Sequence, residues 1–248
     1  PGVNYTAADP FGAYEWAVNI NIRGFQKDQL GYTLDGVPLG DMSYGNYNGL
    51  HISRAIISEN LGKVELAQGA ASLSTASTSN LGGALTFYSR GPSNTFGGQV
   101  ALTGGSENMY RGYVRLDTGV LDFTGGKASI SYAKQEQDKW KGDGAQRQDQ
   151  VNARIVQPVG DGQVFAFVNY SNRRENDYQD LSAEMIGRLG YKWDNFAKNW
   201  DYAVLIASIY QNQNARAAYN AGIANGTIPA GTPFVAPYAG VGETFPLL

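Results

Sequence analysis

From residue 97 onward the chain repeats one pattern that few folds tolerate. Segments of about ten residues alternate apolar and polar side chains with a period of two, the spacing of a strand with two unlike faces. In 110–118, Tyr110, Val114 and Leu116 oppose Arg111, Arg115 and Asp117. In 127–135, Ala128, Ile130 and Tyr132 oppose Lys127, Ser129 and Ser131. In 149–157, Val151, Ala153 and Ile155 oppose Gln150, Asn152 and Arg154. Segments 99–106, 163–173, 184–193 and, more weakly, 201–211 repeat the theme. A soluble antiparallel sandwich alternates in the same way. Strands of about ten residues exceed the usual globular five or six, however, and favour a barrel.

The links between these segments bear on orientation. "QEQDKWKGDGAQRQ" (135–148) reads as long and polar, "PVGDG" (158–162) as tight, and "RENDYQD" (174–180) as polar again. Long links on one side and short ones on the other fit outer-membrane barrels. About seven strands are expected, an odd number that would leave an open edge in lipid, so the chain reads as the front portion of a longer barrel, cropped at both ends. The tail 212–248 reads as an extracellular loop over the site or as a partly disordered segment.

Composition removes several classes of function. The 248 residues include no Cys and one His, so thiol chemistry, disulfides, His-based triads and His clusters for metal are excluded. No phosphate loop or nucleophile elbow occurs, and no carboxylate pair stands out. The expectation is therefore no enzyme, no resident metal and no cofactor. His51 reads as a packed or hydrogen-bonding residue. A net charge of −3 makes no electrostatic case for nucleic acid. No apolar run is long enough for a membrane helix, which leaves barrel strands untouched.

The front region has a different texture. "TLDGVPL" reads as an Asp-Gly hairpin turn with Pro38 on an edge strand. "ISRAIISENLG" reads as a short helix capped by Gly62. "KVELAQ" and "GALTFYS" read as strands, and Gly82-Gly83 as a site of positive φ or close backbone approach. Between those strands lies "GAASLSTASTSN", small and neutral.

Four of these elements, in order, resemble the plug domain of TonB-dependent outer-membrane receptors: Ile22-Arg23-Gly24, Asp35-Gly36-Val37-Pro38, Val64-Glu65-Leu66 with Gly69, and Gly82-Gly83. The resemblance implies a mainly β fold. A plug of α+β type (1–92) would precede the first part, about seven strands of a presumed 22, of a transmembrane antiparallel β-barrel with extracellular loops (97–248). It also implies TonB-dependent uptake of a scarce solute, a siderophore or a carbohydrate, across the bacterial outer membrane. The implied partners are the TonB-ExbB-ExbD complex, a small-molecule or oligosaccharide ligand and the lipid bilayer. A surface barrel for binding or adhesion, without transport, is the alternative. In the family, plug arginines pair with barrel glutamates. Here Gln68-Gly69-Ala70 lacks one such arginine, so Arg23 is the expected latch residue and the latch is expected to be weaker or rearranged. "GDMSYGNYNGLH" (40–51) is the expected plug apex, where Tyr44 and Tyr47 can stack on a ligand and Asn46 and Asn48 can hydrogen-bond it. An equal reading makes it a tight loop packed on the wall. No ligand contact is expected from Leu73 to Ser79.

Overall fold

The computed structural model describes residues 2–40, 49–69, 75–76, 80–178, 183, 186–187, 191–192, 194 and 215–230. Contacts divide the chain into two units, 1–137 with 146–175, and 138–145 with 176–248.

The first unit holds three sheets. Strands β1 (Val3–Thr6) and β2 (Asn19–Ile22) pair antiparallel. The link between them is organised by Asp9, whose Oδ1 accepts from the backbone N–H groups of Phe11 and Ala13 at 2.9 Å each. A small four-stranded sheet has the order β4-β3-β6-β5, formed by β3 (Gly31–Leu34), β4 (Val37–Pro38), β5 (Leu61–Gln68) and β6 (Gly83–Ser89). Strand β3 runs parallel to β6, and the other two pairs are antiparallel. The Asp-Gly turn forms as expected. Asp35 and Gly36 take φ of 49° and 84° between paired Leu34 and Val37, and Pro38 lies on the edge strand, where no ladder donor is required. Ile22, Leu30, Tyr32, Leu34, Ile56, Leu85 and Phe87 form the buried core of this region.

Helix α1 (Ile52–Ala55) is shorter than expected. It ends at Ile56, which is extended, and a 3-10 turn (Ser58–Asn60) leads directly into β5. Gly62 is therefore a strand residue and not a helix cap. It sits at the irregularity in register between Leu61 and Lys63, where a Cβ would lie 3.2 Å from Arg90 Cα. The absence of a side chain serves close strand approach there.

The two glycines before β6 each have a structural cause. A Cβ on Gly82 would stand 2.3 Å from Phe25 Cβ, and one on Gly83 would stand 2.3 Å from the Ala67 carbonyl oxygen, at φ +126°. Gly83→Ala is expected to destabilise by about 2–4 kcal/mol, because both the φ and a backbone neighbour oppose it. Gly82→Ala should cost a comparable amount, since Phe25 Cβ is fixed by its own backbone and cannot turn away. Urea unfolding of the two variants side by side in detergent checks both; a wild-type midpoint in either would contradict its clash.

The large sheet has the order β11-β10-β9-β8-β7, antiparallel in β7–β8, β8–β9 and β10–β11. Its strands are β7 (Phe96–Gly104), β8 (Tyr110–Thr118), β9 (Lys127–Asp138), β10 (Ala145–Val159) and β11 (Gly162–Arg174). The alternation foreseen from sequence is present, but the sheet is inside out by the standards of a soluble protein. Val100, Leu102, Ile130, Val164 and Val168 are exposed, Leu102 to 83%. Arg111, Arg115, Asp117, Gln135, Gln148 and Gln150 are buried, Gln150 to 2% exposure. A sandwich buries its apolar face, so this arrangement excludes one. It is what a barrel wall needs, with lipid outside and polar filling within.

Two expectations about this region require correction. Strands β9 and β10 run to Asp138 and from Ala145, so most of the presumed loop 135–148 is strand. Polar alternation in "QEQD" and "AQRQ" continues the strand periodicity beyond the apolar band. The presumed strand 184–193 is not one at its described residues: Ile186 and Gly187 are helical, and Tyr191 and Lys192 lie in a turn. Met185 and Leu189 are four apart, a spacing that a helix face satisfies as well as a strand. The described large sheet therefore has five strands. Segment 201–211 lies outside the described residues, as does most of the tail, of which 215–224 forms helix α2 (Ala215–Ala224).

In the second unit, Lys139 Nζ lies 2.8 Å from Asp194 Oδ2, with both side chains fully buried. The same ammonium donates to the Asp177 carbonyl at 2.7 Å. Trp140 packs on Tyr178 and Tyr191, with ring centroids 6.1 and 5.2 Å apart. Buried charge is tolerated here because it is paired and hydrogen-bonded.

Candidate functional site: the seam between the small sheet and the wall

Within the first unit, the front region meets the polar face of the large sheet through hydrogen bonds and ion pairs more than through apolar packing. The centre of contact is the short run from Ile57 to Asn60. Ile57 is fully buried against Tyr113 and Ala133, and its N–H donates to Asn152 Oδ1 at 2.9 Å. The Asn60 amide makes all four hydrogen bonds open to it. Its Oδ1 accepts from Tyr113 Oη at 2.8 Å and Arg115 Nη1 at 2.9 Å. Its Nδ2 donates to Ser131 Oγ at 2.7 Å and Asn152 Oδ1 at 2.9 Å. One side chain thus ties the front region to β8, β9 and β10.

Four ion-paired groupings surround this point. Arg111 grips Glu59 with both ends of its fork, at 2.9 and 2.7 Å, and its guanidinium lies 4.6 Å from the centre of the Phe11 ring. Arg154 Nη1 donates to Asp35 Oδ2 at 2.7 Å, and Ser89 Oγ donates to the same oxygen at 2.6 Å. Arg115 is neutralised by Asp117 on its own strand, at 2.8 Å. The fourth grouping joins Glu15 and Arg54 to Arg173 and Glu175. Arg173 Nη1 lies 3.1 Å from Glu175 and 3.4 Å from Glu15. Arg54 Nε lies 2.6 Å from Glu15 Oε2, close for charge attraction though off the line of a hydrogen bond. The Ser53 carbonyl, which α1 leaves unpaired, accepts from Gln148, Gln150 and Arg173 at 2.8, 3.0 and 3.2 Å.

Among the front-region groups with shifted acidities, Glu59 and His51 bear on the seam. Burial raises the Glu59 carboxyl, but the Arg111 hydrogen bond and charge outweigh it and hold Glu59 below its ordinary value. Burial, followed by the nearby charges of Arg173, Lys27 and Arg54, lowers His51 from 6.5 to about 3. The neutral ring is put to use: His51 Nδ1 accepts from the Ser53 N–H at 3.2 Å and caps α1. A base with a lowered folded pKa stabilises the fold above its unfolded pKa and loses that contribution as pH falls. His51 therefore weakens the fold between pH 6.5 and about 3. Its imidazole is the single histidine signal in the chain, so NMR reads it directly. The ring is expected to stay neutral at pH 5; titration near 6.5 would contradict the burial.

The front region also encloses an apolar cavity of about 290 Å³, lined by Phe11, Ile20, Ile56 and Phe87, with Arg111 and Gln150 on the wall side.

The family model for the TonB-dependent receptor plug domain matches residues 1–84. Residues 1–84 are a TonB-dependent receptor plug domain. Solved structures match about 70% of the chain. The pyoverdine outer membrane receptor FpvA from Pseudomonas aeruginosa PAO1 is 20% identical, with a TM-score of 0.54 over 70% of this chain and 24% of its own. The alcaligin outer membrane receptor FauA from Bordetella pertussis is 20% identical, with a TM-score of 0.53 over 70% of this chain and 27% of its own. The siderophore receptor PiuA from Acinetobacter baumannii is 16% identical, with a TM-score of 0.51 over 70% of this chain and 23% of its own. The chain thus spans about a quarter of the length of these receptors. Comparison with curated proteins found no match. The fold is a receptor plug against an unclosed section of barrel wall, and the matched proteins are receptors, not enzymes.

With the plug identified, the predicted residues can be placed. Gly24 and Arg23 form a tight turn after β2, with φ of 91° and 53°, and the Arg23 N–H donates to the Gly2 carbonyl at 2.8 Å. Arg23 is exposed and forms none of the ion pairs among the described residues. Among the described residues it makes no side-chain hydrogen bond to the wall either. Asp35, Gly36 and Pro38 build the β3–β4 hairpin, and Asp35 alone of these reaches the wall. Glu65 is exposed on β5 and pairs with Lys63 and Tyr88. Gly69 ends β5 at φ 81°. Tyr44, Asn46, Tyr47 and Asn48 lie outside the described residues.

The rearranged latch is largely reversed in sign. In three groupings the wall supplies the arginine (Arg111, Arg154 and Arg173) and the plug supplies the carboxylate (Glu59, Asp35 and Glu15). Among the described residues, only Arg54–Glu175 sets a plug cation against the carboxylate beyond β11. The polar-face residues of β8 and β10 were visible in the alternation. Glu15, Asn60 and their roles carried no such signal.

Proposed function

We propose that this chain forms part of a TonB-dependent receptor that imports an iron chelate of the siderophore class across the outer membrane. The plug would run over residues 1–92 and the wall from residue 97. The observation that carries this reading is the seam: the plug is held to the wall by hydrogen bonds and ion pairs. Such contacts can be exchanged for water one at a time, whereas an apolar core must open as a whole. A domain held in this way can seal a lumen and still yield to a pull. TonB, energised by ExbB-ExbD, would supply that pull.

The siderophore class is favoured over carbohydrate because the structurally similar receptors for pyoverdine and alcaligin are siderophore receptors. The apex residues Tyr44, Asn46, Tyr47 and Asn48 are proposed to touch the chelate. Uptake of radioactive iron presented as different chelates, in cells with and without TonB, tests the reading. Uptake of at least one chelate should require both the receptor and TonB. Uptake unchanged without TonB would remove the mechanism, and uptake of an oligosaccharide alone would remove the substrate class.

A further inference from the structure

The cavity between the plug strands and the wall, at about 290 Å³, is larger than close packing leaves by accident. An apolar cavity of about 150 Å³ already holds benzene, so this one has room for a single substituted ring. Phe11, Ile20, Ile56 and Phe87 surround most of the space. Tyr5 and Pro10 also border it and are both exposed, which places its opening beside β1.

Part of the lining is polar and positive. Lys27 and His51 both belong to it. Lys27 forms no ion pair among the described residues, and its Nζ reaches only the Val18 carbonyl, at 3.4 Å. His51 Nδ1 accepts from the Ser53 N–H, so the proton of the neutral ring sits on Nε2, which is a donor. That nitrogen makes no hydrogen bond among the described residues. The charges that act on the ring are Arg173, Lys27 and Arg54, all cations. Arg54 and Arg173 have carboxylates against them, Glu15 and Glu175, whereas Lys27 has none among the described residues. A half-buried ammonium and an imidazole N–H beside an apolar space are complementary to an anion with an apolar body. The rings of Phe11 and Phe87 favour a flat one, through offset or edge contact.

We propose that this cavity binds a small aromatic carboxylate, its ring against Phe11 and Phe87 and its carboxylate at Lys27 Nζ and His51 Nε2. Arg111 of β8 and Gln150 of β10 complete the lining, so the walls come from both sides of the seam. The bound anion therefore favours the seated plug by linkage. The site does not depend on what the receptor imports. The test uses the receptor containing this chain in mild detergent. The probe is para-fluorobenzoate, read by fluorine NMR against protein-free micelles. Binding should saturate with a Kd of about 0.1 mM, and para-fluorobenzyl alcohol should bind about tenfold more weakly. Lys27→Met should erase that preference, and Lys27→Arg should keep it. Ile20→Phe fills part of the cavity and should weaken both probes alike. Absence of saturable binding, equal binding of the two probes by wild type, or an unchanged preference in Lys27→Met would overturn the site. Unchanged affinity in Ile20→Phe would put the ring elsewhere and overturn it too. Displacement by an imported iron chelate would reassign the probe to the uptake path. In planar bilayers, urea that loosens the plug opens conductance. Saturating probe should move that onset to higher urea, and an unmoved onset would overturn the coupling to the seated plug.

Discussion

Replacing Asn60 with leucine is expected to loosen the plug from the wall more than any other single change in the run from Ile57 to Asn60. Leucine is close in size, so the effect isolates hydrogen bonding. The amide is buried to 4% exposure, and its four partners come from three wall strands. Arg115 keeps Asp117 and the Gly91 carbonyl, and Ser131 retains a long contact to the Asn152 carbonyl at 3.4 Å. Tyr113 Oη loses its acceptor and keeps only the neighbouring Arg115, and Asn152 loses one donor. Two buried groups left short at about 2 kcal/mol each suggest a cost of about 4 kcal/mol. Asn60→Asp should be milder, since Ser131 and Asn152 can turn to donate and Arg115 gains a counter-charge. In planar bilayers a loosened plug shows as ion conductance. Asn60→Leu should conduct more often than wild type, with Asn60→Asp between them. Wild-type silence from both would remove Asn60 from its place as the hub.

Arg173→Met is the second large effect. Arg173 is buried on β11, touches both Glu15 and Glu175, and also donates to Ser53 and Gln148. Methionine keeps the stem and removes the charge. Glu15 and Glu175 are then left near each other with only Arg54 to balance them. Breaking one member of a buried ionic group costs about 3–5 kcal/mol. Burial already raises the Glu175 carboxyl, with the Arg173 charge opposing that rise, so its loss should push Glu175 further up. A carboxyl with a raised folded pKa stabilises the fold below that pKa and loses the contribution as pH rises through it. The variant should therefore be weakest at neutral pH and recover part of its loss in acid. His51 supplies an independent readout. The Arg173 charge helps to lower the imidazole pKa, so the variant should raise it. A double-mutant cycle with Glu15→Gln should show coupling of about 1–3 kcal/mol. An unmoved His51 titration together with zero coupling would show that the group is not a unit.

The large sheet was legible because its evidence is local. Strand periodicity needs only neighbours in sequence, so β7 to β11 could be located within a few residues. The Asp35-Gly36 turn and Gly82-Gly83 were legible for a related reason, since backbone conformation restricts residue type at each position. The helix ending at Gly62 was misjudged because a glycine serves a helix cap and a close strand approach equally well. Segment 184–193 was misjudged because a spacing of four fits two kinds of element.

Sequence by itself determined that one face of each wall strand is apolar and the other polar, and where the plug signature lies. It did not determine which face is covered, or by what. Tertiary structure decided that the polar face is the buried one, and that the plug anions Glu15, Asp35 and Glu59 meet the wall cations Arg173, Arg154 and Arg111. Those pairs join residues separated by 52 to 158 positions. Alternation specifies two unlike faces but is blind to which solvent each one meets, and charge pairing over such separations exists only once the chain has folded.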